Sequence, residues 1–252
     1  VGVVGAACSG ASMGANSVLS PLGIPMISYA STSPALSDSE AYPTFWRVVP
    51  SDALQGQALA AAVTTGSSPA VLYMANDYAT GLANAFNNSW AGAGEGLCSA
   101  GMISYDPASF DGAAIASQIV SAGCDSVVLA SYAADGTQLI SDLNTAGFTG
   151  AIYGGDGVAD SAFPGPDGMV ATRPSAGLGA PSERAQAFAG LCAGVAECAG
   201  GIYTGETFDA FIVMGYSIFA QAGTPEVPLT SMVQAVGQGF VGATGDITFM
   251  AN

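Results

Sequence analysis

The chain has 252 residues, half of them apolar, enough to bury one sizeable core or two modest ones. Three arginines, no lysine and no histidine stand against nineteen acids, giving a formal net charge of -16. That balance excludes nucleic acid as a partner, because phosphate binding relies on Lys and Arg displacing counterions. The missing residue types also exclude a Ser-His-Asp or Cys-His pair, an imidazole metal site, a P-loop and a Schiff base. Carboxylate-pair hydrolysis stays open in principle, and the acidic surface suits either salty water or ordinary solubility. No apolar run reaches the roughly 18 to 20 residues of a membrane span, and no signal-peptide pattern is present, so the chain reads as mature and soluble.

Apolar runs bounded by turn residues alternate with longer amphipathic stretches along the chain. Strands are predicted at Val1 to Val4, Pro25 to Ser28, Ala70 to Met74, Gly101 to Tyr105, Ser126 to Ala130 and Ala151 to Tyr153. Helices are predicted between them at Met13 to Leu22, Ala53 to Thr64, Gly81 to Ala93, Gly112 to Ser121 and Gly136 to Ala146. Short, continuously apolar strands joined by helices imply parallel sheets covered on both faces, a doubly wound α/β design. The Gly-, Pro- and Ser-rich stretch from Asp160 to Pro181 reads as loop. Helices follow at Ser182 to Leu191, Thr204 to Gln221 and Leu229 to Gln238, and "GFVGATGDITFMAN" reads as a hairpin beginning near Ala243.

The five cysteines suit disulfides better than metal ligation, and an oxidising compartment with them. Cys192 and Cys198 bracket "AGVAE" and can close a short local loop. Cys98 and Cys124 each precede a predicted strand, so parallel neighbouring strands would bring them to one sheet edge, leaving Cys8 over.

Two polar stretches stand at strand C-termini, where open α/β sheets place ligands. "AACSGAS" follows the first strand with small residues and a helix start, an arrangement that favours an anionic guest; with no phosphate motif and no nearby cation, carboxylate is preferred to phosphate. A plain serine N-cap explains the same letters. "SYASTSPAL" follows the second strand with hydroxyls at Ser31, Thr32 and Ser33, where a capping motif again competes.

"GAACSGASMGANSVLSPLGIPMISYASTSPAL", "FWRVVPSDALQGQALA", "VLYMANDYATGLANAF", "YGGDGVADSAF" and "TFDAF" occur in this order. The succession resembles the branched-chain amino-acid binding protein family, type I periplasmic binding proteins that deliver ligand to ABC importers. The resemblance implies a non-catalytic protein without cofactor or metal, periplasmic or extracellular, lipid-anchored where a leader supplies the anchor. It implies a monomer serving a membrane permease, its ligand a branched-chain or other apolar amino acid. It also implies two doubly wound lobes: lobe one from Val1 to Pro50 and again over 173–246, lobe two over 51–172, and a last hinge crossover at 247–252. Crossovers near Val49, Arg173 and Asp246 would form the hinge.

Carried over position by position, Ser9 would bind the ligand α-carboxylate with Thr32, Ser31 and local backbone N–H groups, while the Ala30 carbonyl helps hold the ammonium. Asp156 of "GGDG" would pair with that ammonium, and Tyr78 and Tyr132 would close over the ligand. The family often carries Glu at the Asp156 position, and the shorter acid leaves ligand size open. Asp156 also reads as a turn residue, the tyrosines as packing aromatics, and Asp209 as a helix-packing or supporting residue behind the site. Family members carry about a quarter of their chain before the cysteine-serine turn and extend past "GATGDITF"; a cysteine in the earlier segment can pair with the one matching Cys8. A sensory ligand-binding domain, or an amide- or short-carboxylate-sensing protein, is the alternative on the same fold.

Overall fold

The computed structural model describes residues 1–160, 163, 165–175, 181–196, 198 and 201–249. Its chain divides into two compact units, residues 1–50 with 174–252 and residues 51–173.

The first unit is built on three short parallel strands in the order β1-β2-β3: β1 (Val3–Val4), β2 (Met26–Ser28) and β3 (Phe45–Arg47). Helix α1 (Ser9–Leu19) makes the crossover from β1 to β2 and starts four residues before the expected Met13, so "CSG" lies at its first turn. Strand β3 was not expected; its three residues are too few to show a period, and burial of Phe45 and Trp46 holds it in the sheet. Helix α6 (Glu183–Cys192), α7 (Thr204–Gly223) and α8 (Leu229–Val236) complete the layers of this unit. Ala210, Val213 and Met214 of α7 pack with Ile27, Trp46, Val233 and Phe249 in one apolar cluster.

The terminal hairpin begins at Phe240, earlier than the expected Ala243. β9 (Phe240–Val241) pairs antiparallel with β10 (Asp246–Ile247), and the turn between them spans the residues first read as a strand start. Beyond it Phe249 is buried in the core of the same unit.

The second unit carries a five-stranded parallel sheet in the order β5-β4-β6-β7-β8. Its strands are β4 (Pro69–Met74), β5 (Met102–Tyr105), β6 (Ser126–Ala130), β7 (Ala151–Gly154) and the unexpected edge strand β8 (Val170–Ala171). Both residues of β8 are exposed, which is why a Gly- and Pro-rich stretch read as loop still completes a ladder. Helices α2 (Asp52–Ala62), α3 (Asp77–Gly92), α4 (Gly112–Ser121) and α5 (Ala133–Thr145) make the connections. Ser51, Asn76 and Asp111 cap α2, α3 and α4 by accepting backbone N–H bonds. Gly56 lets α2 approach α3 closely: a Cβ there would lie 2.6 Å from the Ala85 backbone. Among the described residues no helix is long and apolar enough to cross a membrane.

Cys98 pairs with Cys124 and Cys192 with Cys198, while Cys8 is free and exposed. The strands that follow Cys98 and Cys124 are not neighbours as expected, because β4 lies between β5 and β6. Cys98 reaches its partner because its N–H binds the Pro69 carbonyl at the start of β4, at 3.0 Å, which turns the chain across that strand's end. The bridge closes a separation of 26 residues, so Cys98→Ala combined with Cys124→Ala is expected to lower the unfolding free energy by about 3 kcal/mol in chemical denaturation under non-reducing conditions.

Candidate functional site

In the first unit the carboxyl ends of β1 and β2 carry a network of small polar groups. Ser28 donates from its hydroxyl to the Ala6 carbonyl at 2.6 Å, and Ser31 donates to the same carbonyl at 3.0 Å. Ser12 and Ser31 share a hydroxyl contact of 2.8 Å, and the Ser31 N–H donates to Ser28 Oγ at 2.9 Å. Ser9, Ser12, Ser28, Ser31, Thr32 and Ser33 are all buried. Burying polar groups is tolerated only when they are paired, and here hydroxyls and carbonyls pair with one another across the two strand ends.

Two hydroxyls remain for a guest. The residue preceding α1 is Cys8, which offers no side-chain cap, and the first turn holds no acid, so the capping explanation for Ser9 fails. Ser9 Oγ instead accepts the Ser33 N–H at 3.1 Å, which leaves its own proton to donate at the open end of a helix dipole. Thr32 Oγ1 is fully buried and has no hydrogen-bond partner among the described residues. A buried hydroxyl without a partner is costly and calls for an acceptor or donor at that place. Ser31 differs from both: its hydroxyl is engaged by Ser12 and by the Ala6 and Ala7 carbonyls, so it shapes the loop. Ala30 follows β2 half-buried, its N–H donating to Ser28 Oγ at 3.3 Å.

In the second unit the carboxyl ends of β4, β6 and β7 bring Tyr78, Tyr132 and Asp156 together. Tyr78 sits in the first turn of α3, Tyr132 precedes α5, and Asp156 follows β7. The Tyr78 hydroxyl donates to Asp156 Oδ1 at 2.8 Å and accepts the Gly157 N–H at 3.0 Å. The Tyr132 ring stacks on the Tyr78 ring with centroids 5.3 Å apart and is the more exposed of the two. The glycines flanking the acid are required by this closeness: a Cβ on Gly157 would lie 2.3 Å from the Ser131 carbonyl, and one on Gly155 would lie 2.3 Å from Leu82.

Burial, followed by the charges of Asp156 and then Asp52, holds the Tyr78 hydroxyl well above its ordinary 10.0. Asp52 was not singled out from sequence, because an acid in the first turn of α2 already has a use at the helix dipole. Its complete burial and its field on Tyr78 place a second carboxylate near the same hydroxyl. The joint field of the two acids, added to burial, keeps the Tyr78 phenol protonated. Tyr105, at the end of β5, is pushed by burial to about 12 with Asp135 adding to the rise, against a hydrogen bond from Ser131.

Asp209 has a structural task. Its carboxylate accepts the Ala243 N–H at 2.6 Å, the Thr244 N–H at 2.9 Å and the Thr244 hydroxyl at 2.7 Å, which ties α7 to the β9–β10 turn. Among the described residues, a hollow of about 590 Å³ beside the Cys192–Cys198 loop is lined by Phe188, Ala189, Val195 and Thr204. Among the described residues no cluster of acids and cysteines is arranged to hold a metal ion.

The tyrosine geometry sets a pH response. Above pH 10 the unfolded chain releases phenol protons that Tyr78 and Tyr105 retain when folded, so stability falls as pH rises from 10 through the raised values. Denaturation measured across this range is expected to show the fall, and Tyr78→Phe combined with Tyr105→Phe is expected to flatten it.

The model for the receptor family ligand binding region matches residues 1–160. Human metabotropic glutamate receptor 8 is 51% identical over 63 residues, 25% of this chain and 7% of the receptor. Metabotropic glutamate receptor 6 of Oryctolagus cuniculus is 54% identical over 59 residues, 23% of this chain and 7% of the receptor. Among solved structures, the leucine binding protein LivK of Thermotoga maritima matches with a TM-score of 0.82 at 24% identity, over 98% of this chain and 72% of that one. An ABC transporter substrate-binding protein of Desulfitobacterium hafniense in complex with Leu matches with a TM-score of 0.75 at 23% identity, over 99% of this chain and 73% of that one. These structures fix the fold as that of a type I periplasmic binding protein. The family match spans Ser9, Thr32, Tyr78, Tyr132 and Asp156, and the chain belongs to the receptor family ligand binding region.

Proposed function

We propose that this chain is the binding portion of an extracytoplasmic solute-binding protein that captures an apolar amino acid and delivers it to an ABC importer. The observation that carries the reading is the pairing of opposite preferences: hydroxyl donors at a helix N-terminus in one unit, and buried carboxylates in the other. A zwitterion needs an acceptor site and a donor site, each desolvated and each paired. In this reading the first unit offers Ser9 and Thr32 to an α-carboxylate and the Ala30 carbonyl to an ammonium, and the second unit offers Asp156 to an ammonium. Tyr78 keeps Asp156 oriented through its 2.8 Å hydrogen bond, and Tyr132 covers the ligand with the ring that Tyr78 stacks. The mechanism is binding without bond chemistry: ligand contacts made in only one conformation shift the population toward it, and a permease senses the shift.

The solved neighbours titled as leucine-binding and as an ABC transporter complex with Leu support transport of such a ligand. A second reading, a sensory ligand-binding domain, is favoured by the 51% identity to a metabotropic glutamate receptor over 63 residues. The half-sites serve both readings, because each begins with capture of an amino acid.

Calorimetric titration with L-leucine is expected to show saturable binding, and N-acetyl-leucine, which lacks the ammonium, is expected to show none. Asp156→Ala is expected to weaken leucine binding by about 2 to 5 kcal/mol, the range for truncating one partner of a buried charge pair. Unchanged affinity in Asp156→Ala would remove the acid from the site.

A further inference from the structure

The loop that carries Thr32 has no regular backbone ladder, although Ser31, Thr32 and Ser33 are buried. Carbonyls in such a segment need donors from elsewhere. Arg47, the last residue of β3, supplies them: its Nη1 donates to the Ser33 carbonyl at 2.8 Å and to the Ser31 carbonyl at 3.3 Å. Its Nη2 donates to Ser37 Oγ at 2.5 Å, beyond the short helical turn that begins at Pro34. One guanidinium therefore spans Thr32, holding the carbonyls on both sides of it and the turn that follows.

We propose that Arg47 is the positioning residue of the carboxylate half-site. Three lines of geometry meet on it. The Ser33 residue whose carbonyl it binds is the one whose N–H donates to Ser9 Oγ, so Arg47 and Ser9 grip one residue from two sides. The Ser31 carbonyl shares its peptide group with the Thr32 N–H, and a charged donor on the oxygen polarises that N–H toward an acceptor. The residue also stands at the end of β3, three positions before the chain leaves the first unit at Pro50, so the strand fixes its base while its head fixes the loop. In a chain with three cations and nineteen acids, this places one cation on the carbonyls of the loop that is to receive an anion.

A planar fork that binds two carbonyls and a hydroxyl at once is not reproduced by glutamine, and is reproduced in part by lysine, which keeps the charge on a single nitrogen. The loop geometry belongs to the folded chain alone, whereas the effect on affinity rests on the proposed amino-acid reading. Backbone hydrogen exchange of the ligand-free full-length protein, with L-leucine titration alongside, separates the two. Arg47→Gln is expected to speed exchange at residues 31–36 by about tenfold or more while the amides of β4, β6 and α3 keep their protection. It is expected to weaken leucine binding by about tenfold, with Arg47→Lys recovering most of both losses. Unchanged exchange at 31–36 in Arg47→Gln overturns the proposal. So does acceleration spread evenly over β1, β2 and β3, which marks a general stabilising role, and so does leucine affinity that is indifferent to a loosened loop. If the wild-type protein does not bind leucine while the local exchange change appears, the positioning of Thr32 by Arg47 is upheld and the amino-acid reading is what fails.

Discussion

The arrangement at the strand ends rests on how a chain with very few cations buries polar groups. Water is excluded from Ser9, Ser31, Thr32, Ser33 and Asp156, and each desolvated group needs a partner close by. At Ser28 and Ser31 the partners are the Ala6 and Ala7 carbonyls, and at Asp156 a phenol donates where a basic side chain is the commoner choice. Hydroxyls and amides are neutral, so in the proposed reading the half-site in the first unit would attract an anion through oriented dipoles. In the same reading Asp156 gives the second half-site the opposite preference. Small residues make both possible, because Gly155 and Gly157 admit Tyr78 and the Ser131 carbonyl to distances that any side chain would block.

Parallel sheet topology brings these groups to the strand ends. In the order β5-β4-β6-β7 the carboxyl ends of β4, β6 and β7 are neighbours, so residues 78, 132 and 156, far apart in sequence, meet within hydrogen-bonding and stacking distance. The same logic in the first unit joins the ends of β1 and β2 through Ser12 and Ser31. Asp209 shows the contrast. It is an acid as thoroughly buried as Asp156, and its oxygens serve the Ala243 and Thr244 donors of a tight turn, which is a structural task.

Much of this was legible in the sequence. The continuous apolar runs Pro69–Met74 and Ser126–Ala130 declared a parallel sheet, because strands buried on both faces lose their alternation. The stretches holding Ser9 and Thr32 stood out through their place after such runs, whereas Asp156 stood out through the family resemblance. The strands Phe45–Arg47 and Val170–Ala171 were illegible for opposite reasons, one too short and buried, the other short, exposed and set among glycines and prolines. Arg47 and Asp52 were also missed. Each has an ordinary local explanation, a strand end and a helix start, and only the three-dimensional partners reveal another use. The cysteine pairing followed from placing both residues ahead of strands, while the strand between them did not.

The proposal to be tested is that Ser9 and Thr32 receive a ligand carboxylate and that Asp156 receives a ligand ammonium. A crystal structure of the full-length protein with L-leucine tests it most directly. A carboxylate oxygen is expected within hydrogen-bonding distance of Ser9 Oγ and of Thr32 Oγ1, and an ammonium nitrogen within hydrogen-bonding distance of Asp156. Leucine seated elsewhere, or bound with Thr32 Oγ1 still without a partner, would contradict it.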